Sequence, residues 1–457
     1  MTGKKLNRTA DTQLSLAEAQ AFLLERARSR GVQLEVFAQR EQHTGVRALK
    51  GEVTSFQLST QQGVALRVLR GGAWGESFTE NLSEAALERA LDRAAENAEL
   101  TAPEAGAALV DWPPPPALDL SGEGLSGVTV AQKVAAALDL DRVASGADPR
   151  VISVPYGGYD DSVRDWQVAN TSGLQRGAQA LEATLAVYPL LSENGQSKMD
   201  GEWQFTREFT QLDPTRTALT AVERSAALLG ARPAPSGAFP VWLSGRAMAE
   251  LLGLFAPMFS GRMIEEGKSP LAGRLEQLVA AQSVTLVDDA TLPTGQRSRP
   301  FDAEGCPSAP LTLIERGVLR AVMHNQGTAA RAGVGSTGHA SRFGLSGAVS
   351  VGHSNLFLQP QADQAEAPTG SFSGIQLLGV SGGHAGAHPV TGEFSLEASG
   401  FLFERGEQQH ALDVFTVAGN ILDLLRDVQW IGPELHWTPM GTGAPDVLVG
   451  ALSIAGQ

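Results

Sequence analysis

The chain has 457 residues, 42% of them apolar. That is enough for two or more domains with a substantial core, and it excludes a wholly disordered polymer. Its 35 Lys and Arg against 50 Asp and Glu give a formal net charge of -15, which argues against nucleic acid as a partner because no basic cluster offsets it. A single cysteine, Cys306, rules out an intrachain disulfide and a four-thiolate zinc site and fits a reducing cytoplasm.

The N-terminal MTGKKLNRTADTQLSLAEAQ has no apolar core or cleavage site after its basic residues and reads as no signal peptide. No apolar run is long enough for a membrane-spanning helix. Ser15 and Glu18 have the spacing of a capping box, so a helix is expected from Ser15 towards Gly31. VQLEVFAQR then alternates like a half-buried strand, and TSFQLST and GVALRVLR read as two more, parted at Gln61-Gln62 and ended by Gly71-Gly72. After Ser83, a plausible N-cap, Leu87, Leu91, Ala94, Ala95 and Ala98 share one helical face. Residues 101–120, with four consecutive prolines, form a linker.

Helices are expected over 128–144 and 215–229, with strands between Val151 and Thr206 turning at Gly157-Gly158, Ser172-Gly173 and Asn194-Gly195. GARPAPSGAFP is the boundary between an N-terminal domain, 1–230, and a C-terminal one, 236–457. In the second half, short strand-like runs alternate with glycine turns, with helices only at Ser244–Phe255, Leu271–Val279 and Asn420–Val428. The fold class is α+β: an N-terminal α/β domain of strands and long helices, then a β-rich, sandwich- or barrel-like domain.

Several motifs bear on chemistry. His384 and His388 have the i, i+4 spacing of a zinc pair. Gly382, Gly383, Gly386 and Pro389 argue against a helix there, and no glutamate follows the first histidine to act as a base. Ser381 sits in G-x-S-x-G after a strand, and Glu393, Glu397 and His410 follow in the chain order of a hydrolase triad. The helix that a nucleophile elbow requires is not expected after it. GVGSTG at 333–338 lacks the Lys-Ser/Thr of a phosphate loop. Cys306 reads as a small filler residue, and Asp288-Asp289 as solvated or turn-capping acids. The residues alone leave a self-contained hydrolase, through Ser381 or through His384 and His388, and a peptide-binding scaffold both open.

Four segments, in order, resemble the TldD/PmbA family: GVALRVLRGGAWGESFTENLSEAALERALDRAAENA, VDDATLPTGQRSRPFDAEGCPSAPLTLIERGVLRAVMHN, HPVTGEFSLEASGFLFERGE and FTVAGNILDLLRDVQWIGPEL. His388 stands where that family often has Asn. TldD-like members are similar to metallopeptidases, with an HExxxH helix and a later cysteine as ligands. The matching region here, SGRAMAELLGLFAPMFSG, holds only Glu250 as a possible ligand, and no cysteine follows Pro433. The resemblance therefore implies the TldE/PmbA-like, non-catalytic branch, with no cofactor of its own. It also implies a TldD-like catalytic subunit carrying zinc, a heterodimer with it or a homodimer alone, a peptide substrate and a cytoplasmic location. Family members are associated with proteolysis of small or unfolded polypeptides, including microcin maturation and antitoxin turnover, and some are described as modulators of DNA gyrase. The segment from Gly379 to Gly392 is expected to face the peptide or partner cleft, with Gly382, Gly383, His384, His388 and Thr391 as its contacts.

Overall fold

The computed structural model describes residues 13–361 and 368–456. Part of the N-terminal stretch read as no signal peptide therefore lies outside the described residues. No helix among them is long and apolar enough to cross a membrane.

Helix α1 (Leu16–Ser29) starts on the expected capping box, with Ser15 and Glu18 satisfying each other's backbone N–H groups. Strands β1 (Gln33–Leu49), β2 (Glu52–Arg70) and β3 (Ala73–Thr79) follow as an antiparallel meander. The turn expected at Gln61-Gln62 is not there. β2 runs straight through, pairing Gln61 with Glu41 and Gln62 with Arg40 of β1. Two glutamines break the apolar alternation without breaking a strand, because Glu52–Thr60 is exposed and needs no apolar side.

Next come α2 (Glu84–Leu100), the one-turn α3 (Glu123–Ser126) and α4 (Val130–Gly146), whose Thr129 and Gln132 form a second capping box. Ser83 precedes α2 but makes no side-chain capping bond. Strands β4 (Val151–Asn170), β5 (Gln175–Glu193), β6 (Gln196–Met199) and β7 (Glu202–Thr206) complete a seven-stranded sheet, and α5 (Pro214–Ala227) follows. Asn194 and Gly195 both have positive φ, 50° and 80°, and turn β5 into β6 as expected. Gly157-Gly158 does not turn; it lies inside β4, where a side chain on Gly158 would come within 2.1 Å of the Val46 carbonyl oxygen. One face of the sheet packs on α1 and α2 through Leu34, Val36 and Leu66, and on α4 and α5 through Val46, Tyr159 and Leu185.

The other face meets the C-terminal half. There Trp166 packs on Phe301, with ring centroids 6.0 Å apart. Beside it, Arg67 of β2 lies over the Trp74 ring at 4.1 Å and reaches Glu35 of β1 at 3.2 Å and Glu304 at 3.0 Å, all three charges buried. Burial pushes Glu35 up; Arg67 opposes the shift and the Glu304 carboxylate adds to it, so Glu35 titrates at about 7 rather than 4.5. Between these two values the folded chain keeps a proton that the unfolded chain has released. Glu35 therefore costs stability as pH rises from about 4.5 to about 7. A Glu35→Gln variant should lose less stability than the parent across that window, measured by urea unfolding at both ends; an unchanged pH slope would contradict this.

The C-terminal half opens with β8 (Gly237–Leu243). In the sheet order Gly374–Ser381, β8, Val447–Ala455, Glu407–Asn420, Glu393–Glu404, the last strand also pairs with the first, so five strands close a barrel. Between the alternatives of sandwich and barrel, this part of the chain closes. A separate six-stranded sheet, which includes Leu286–Asp288 and Thr442–Ala444, lies beside it. Helix α6 (Gly245–Phe255) forms as expected with Ser244 as its N-cap. Short helices α7 (Gly261–Glu265), α8 (Gln326–Ala332), α9 (Gly383–Gly386) and α10 (Ile421–Arg426) follow.

The helix expected over Leu271–Val279 is absent. Glu276 takes a left-handed φ of 63°, and the N–H groups of Glu276 and Val279 donate to the carbonyls of Leu319 and Gly317. Bonds to a neighbouring hairpin replace those a helix would have made internally.

Candidate functional site

Helix α6 is held between the barrel and the six-stranded sheet. Its apolar stripe, Met248, Leu251, Leu252 and Phe255, is buried in the main core. Its start is tied down twice: Gly245 N–H donates to Asp446 at 2.7 Å, and the Ser244 hydroxyl donates to the Leu378 carbonyl at 3.0 Å. The other face carries Arg246 and Glu250, one turn apart.

The Arg246 guanidinium bridges two carboxylates, Asp200 at 2.7 Å and Glu250 at 3.2 Å. The second oxygen of Glu250 accepts the Val380 backbone N–H at 2.8 Å. Burial raises the Glu250 pKa; the Val380 N–H and Arg246 oppose it. A metal helix would need two imidazoles here and a water position. Instead Ala249 stands one residue before Glu250 and Leu254 four residues after it, and a fixed cation already stands between the acids. The donor set therefore does not fit zinc. Among the described residues, no group of three or more His, Cys, Asp or Glu is placed to hold a metal ion.

Above α6 lies the glycine-rich segment singled out in the sequence. The strand ends at Ser381, Gly382 turns with φ 75°, and α9 makes a single turn. A side chain on Gly383 would come within 2.3 Å of Leu254 of α6, and one on Gly386 within 2.1 Å of the Ser395 carbonyl oxygen. These glycines let the segment lie flat on α6 and the next strand. His384 is exposed on α9 and His388 is exposed on the short strand Ala387–His388. Thr391 caps the following turn: its hydroxyl accepts the Glu393 N–H at 3.3 Å, and its carbonyl accepts from Asn420 at 3.0 Å. Asn420 in turn caps α10. Two of the segments that resemble the family thus interlock through Thr391, Gly392 and Asn420.

Ser381 has the Glu397 carboxylate 3.4 Å from its hydroxyl. His410 is paired with Leu402, five residues along the same strand from Glu397, which places it roughly 17 Å away at strand spacing. The three are not brought together as a triad. Cys306 is buried, and burial, with Asp302 beside it, pushes its thiol up to about 12, which disfavours the thiolate a nucleophile needs.

The expected solvation of Asp288 also needs correction, as does the expected absence of a helix after Ser381, where α9 makes one turn. Asp289 caps a turn, accepting the Thr291 N–H at 2.7 Å, but Asp288 is not solvated. It is buried and accepts from His339 at 3.0 Å and from the Ser354 N–H at 2.8 Å. Asp289 lies just past the end of the strand Leu286–Asp288, which turns Asp288 into the core. Its partners lie 51 and 66 residues away, so no local signal could have shown them.

Other openings lie outside this region. A cleft of about 890 Å³ separates α2 and the linker from α7 and α8, bordered by Arg67, Glu104, Glu265, Glu304 and Arg331. A smaller cavity, of about 170 Å³, lies between the N-terminal sheet and residues 296–303.

Family models for the PmbA/TldA metallopeptidase match three successive stretches: domain 1 over 34–98, the central domain over 123–229 and the C-terminal domain over 236–456. Metalloprotease PmbA of Escherichia coli O157:H7 is 24% identical, covering 97% of this chain and 98% of its own. A Thermotoga maritima crystal structure described as a modulator of a DNA gyrase superposes with a TM-score of 0.88 at 28% identity, over 96% of this chain and all of that one. TldE from Thermococcus kodakarensis gives 0.85 at 23% identity, over 96% of this chain and all of that one, which is a likeness of fold. The chain belongs to the PmbA/TldD metallopeptidase family.

Proposed function

We propose that this chain is the TldE/PmbA-like, non-catalytic subunit of a cytoplasmic metalloprotease, and that zinc and peptide hydrolysis belong to a TldD-like partner. The observation that carries this reading is the polar face of α6. Where the family resemblance leads one to expect metal ligands, Arg246 ties Asp200 and Glu250 into a closed ion-pair cluster. A guanidinium is a permanent cation with no open coordination position, so it can hold the acids in place but cannot activate water.

On this reading the chain completes the partner's cleft and helps to hold an extended peptide there. The segment Gly379–Gly392 supplies the contact surface, with Gly382, Gly383, His384, His388 and Thr391 turned to peptide or partner. Its exposed positions and the absence of bulky side chains at the glycines favour close backbone approach.

Hydrolysis of an unstructured fluorescent peptide tests the proposal. This chain alone should be inactive, and adding the TldD-like subunit from the same cell should give cleavage that a chelator abolishes. Chelator-sensitive cleavage by this chain alone would overturn it.

A further inference from the structure

The 170 Å³ cavity has an unusual wall. Strand register places Gln39 opposite Trp166 and Ser162 opposite Glu182, so Gln39, Arg164, Trp166 and Glu182 share one face of the sheet. The opposing wall is built from residues 296–303 and 340–342, with Arg297, Arg299 and Arg342. Four arginines thus line this one space.

Among the described residues, none of the four has a carboxylate oxygen within 4 Å (the criterion for every ion pair in the fold). Arg164 lies over the Trp166 ring at 4.6 Å. Arg297 reaches only His353 and the Met440 carbonyl, both at 3.4 Å, and Arg299 reaches the Gly338 carbonyl at 3.4 Å. Arg342 donates to the carbonyls of Leu345 and Gly347. The Nε atoms of Arg299 and Arg342 are buried without any hydrogen-bond partner.

Two acids also border the space. Glu182 accepts from the Ser162 hydroxyl at 3.2 Å. Asp302 accepts the N–H groups of Glu304, Cys306 and Ala340 and is itself pushed up to about 7 by burial. Positive charge is therefore in excess. Burial lowers the pKa of Arg297, Arg299 and Arg342 alike. Guanidinium groups held out of water with carboxylates nearby but none in contact are costly, and a bound anion would offset that cost.

We propose that this cavity is a binding site for a single oxyanion group, phosphate or carboxylate, held by Arg164, Arg297, Arg299 and Arg342. The planar fork of arginine matches both groups. The space admits one such group among the four guanidinium groups. The group could arrive as free phosphate or as the terminal carboxylate of a peptide, and the site stands whether or not the chain serves a protease.

Titration calorimetry on the full chain, with sodium chloride holding ionic strength constant, separates the outcomes. The probes are inorganic phosphate, a short peptide with a free C-terminal carboxylate, and the same peptide amidated. Saturable binding of phosphate, or of the free-acid peptide but not its amide, is the expected result and tells the two sources apart. Arg299→Gln should weaken it by about tenfold or more. Arg164→Gln, a half-buried strand residue, should do so in a chain whose unfolding midpoint is preserved. The proposal is overturned if neither probe binds saturably, or if both variants bind as the parent does.

Discussion

Replacing Arg67 with leucine should destabilise the chain by about 3–5 kcal/mol, the usual cost of removing one partner from a buried ion pair. The register puts Glu35, Arg67 and Glu76 side by side across β1, β2 and β3. Glu304 enters from the C-terminal half, so one guanidinium serves acids from both halves of the chain. Leucine would fill some of the volume over Trp74 but leave Glu35 and Glu304 buried without the cation that contacts them. Burial already raises Glu35, and losing Arg67 removes the main charge that opposes it, so the loss should grow as pH rises. Urea unfolding at neutral pH checks the magnitude. Adding Glu35→Gln and Glu304→Gln to the leucine variant should recover much of the loss, because the penalty lies in the stranded charges. A loss below about 1 kcal/mol for the single variant would place Arg67 in the class of solvent-screened pairs.

A Gly400→Val variant should cost about 3 kcal/mol, at the upper end for overpacking. Gly400 lies on the seam where Glu393–Glu404 meets Gly374–Ser381 and closes the barrel, opposite Leu377. A Cβ there would sit 2.0 Å from the Gln376 carbonyl oxygen, and that atom is backbone in a paired strand, so it cannot swing away. Both strands have a bulge at this point. Opening the seam would also displace Val380, whose N–H holds Glu250. Thermal unfolding of Gly400→Val against Gly400→Ala should show a graded loss; a valine variant as stable as the parent would mean the seam is looser than its geometry indicates.

Much of the local structure could be read from the sequence because it is encoded locally. The capping box at Ser15 and the turn at Asn194-Gly195 each depend on residues within a few positions of one another. The failures have the opposite character. Gln61-Gln62 and Gly157-Gly158 look like turns only until β1 and β5 are laid beside them. Leu271–Val279 has a helix-like apolar pattern, but its backbone N–H groups are taken by Gly317 and Leu319. Closure of the barrel depends on a pairing between Gly374–Ser381 and Glu393–Glu404 that alternation cannot specify.

The same division holds at the candidate site. That α6 lacks histidines was legible from SGRAMAELLGLFAPMFSG; that Arg246 would clamp Glu250 to Asp200, 46 residues earlier in the chain, was not. The arginine cavity was likewise invisible: Arg164 is separated by more than a hundred residues from Arg297, Arg299 and Arg342, and only the packing of the sheet on residues 296–303 brings them together.

The central claim is that this chain has no metal centre of its own. Elemental analysis of the purified chain, after exposure to zinc and desalting, addresses it most directly. The account predicts no stoichiometric zinc, since Arg246 occupies the space between Asp200 and Glu250 and no ligand cluster stands elsewhere among the described residues. About one zinc per chain, lost in a His384→Ala/His388→Ala variant, would contradict it and make the exposed segment above α6 a metal site.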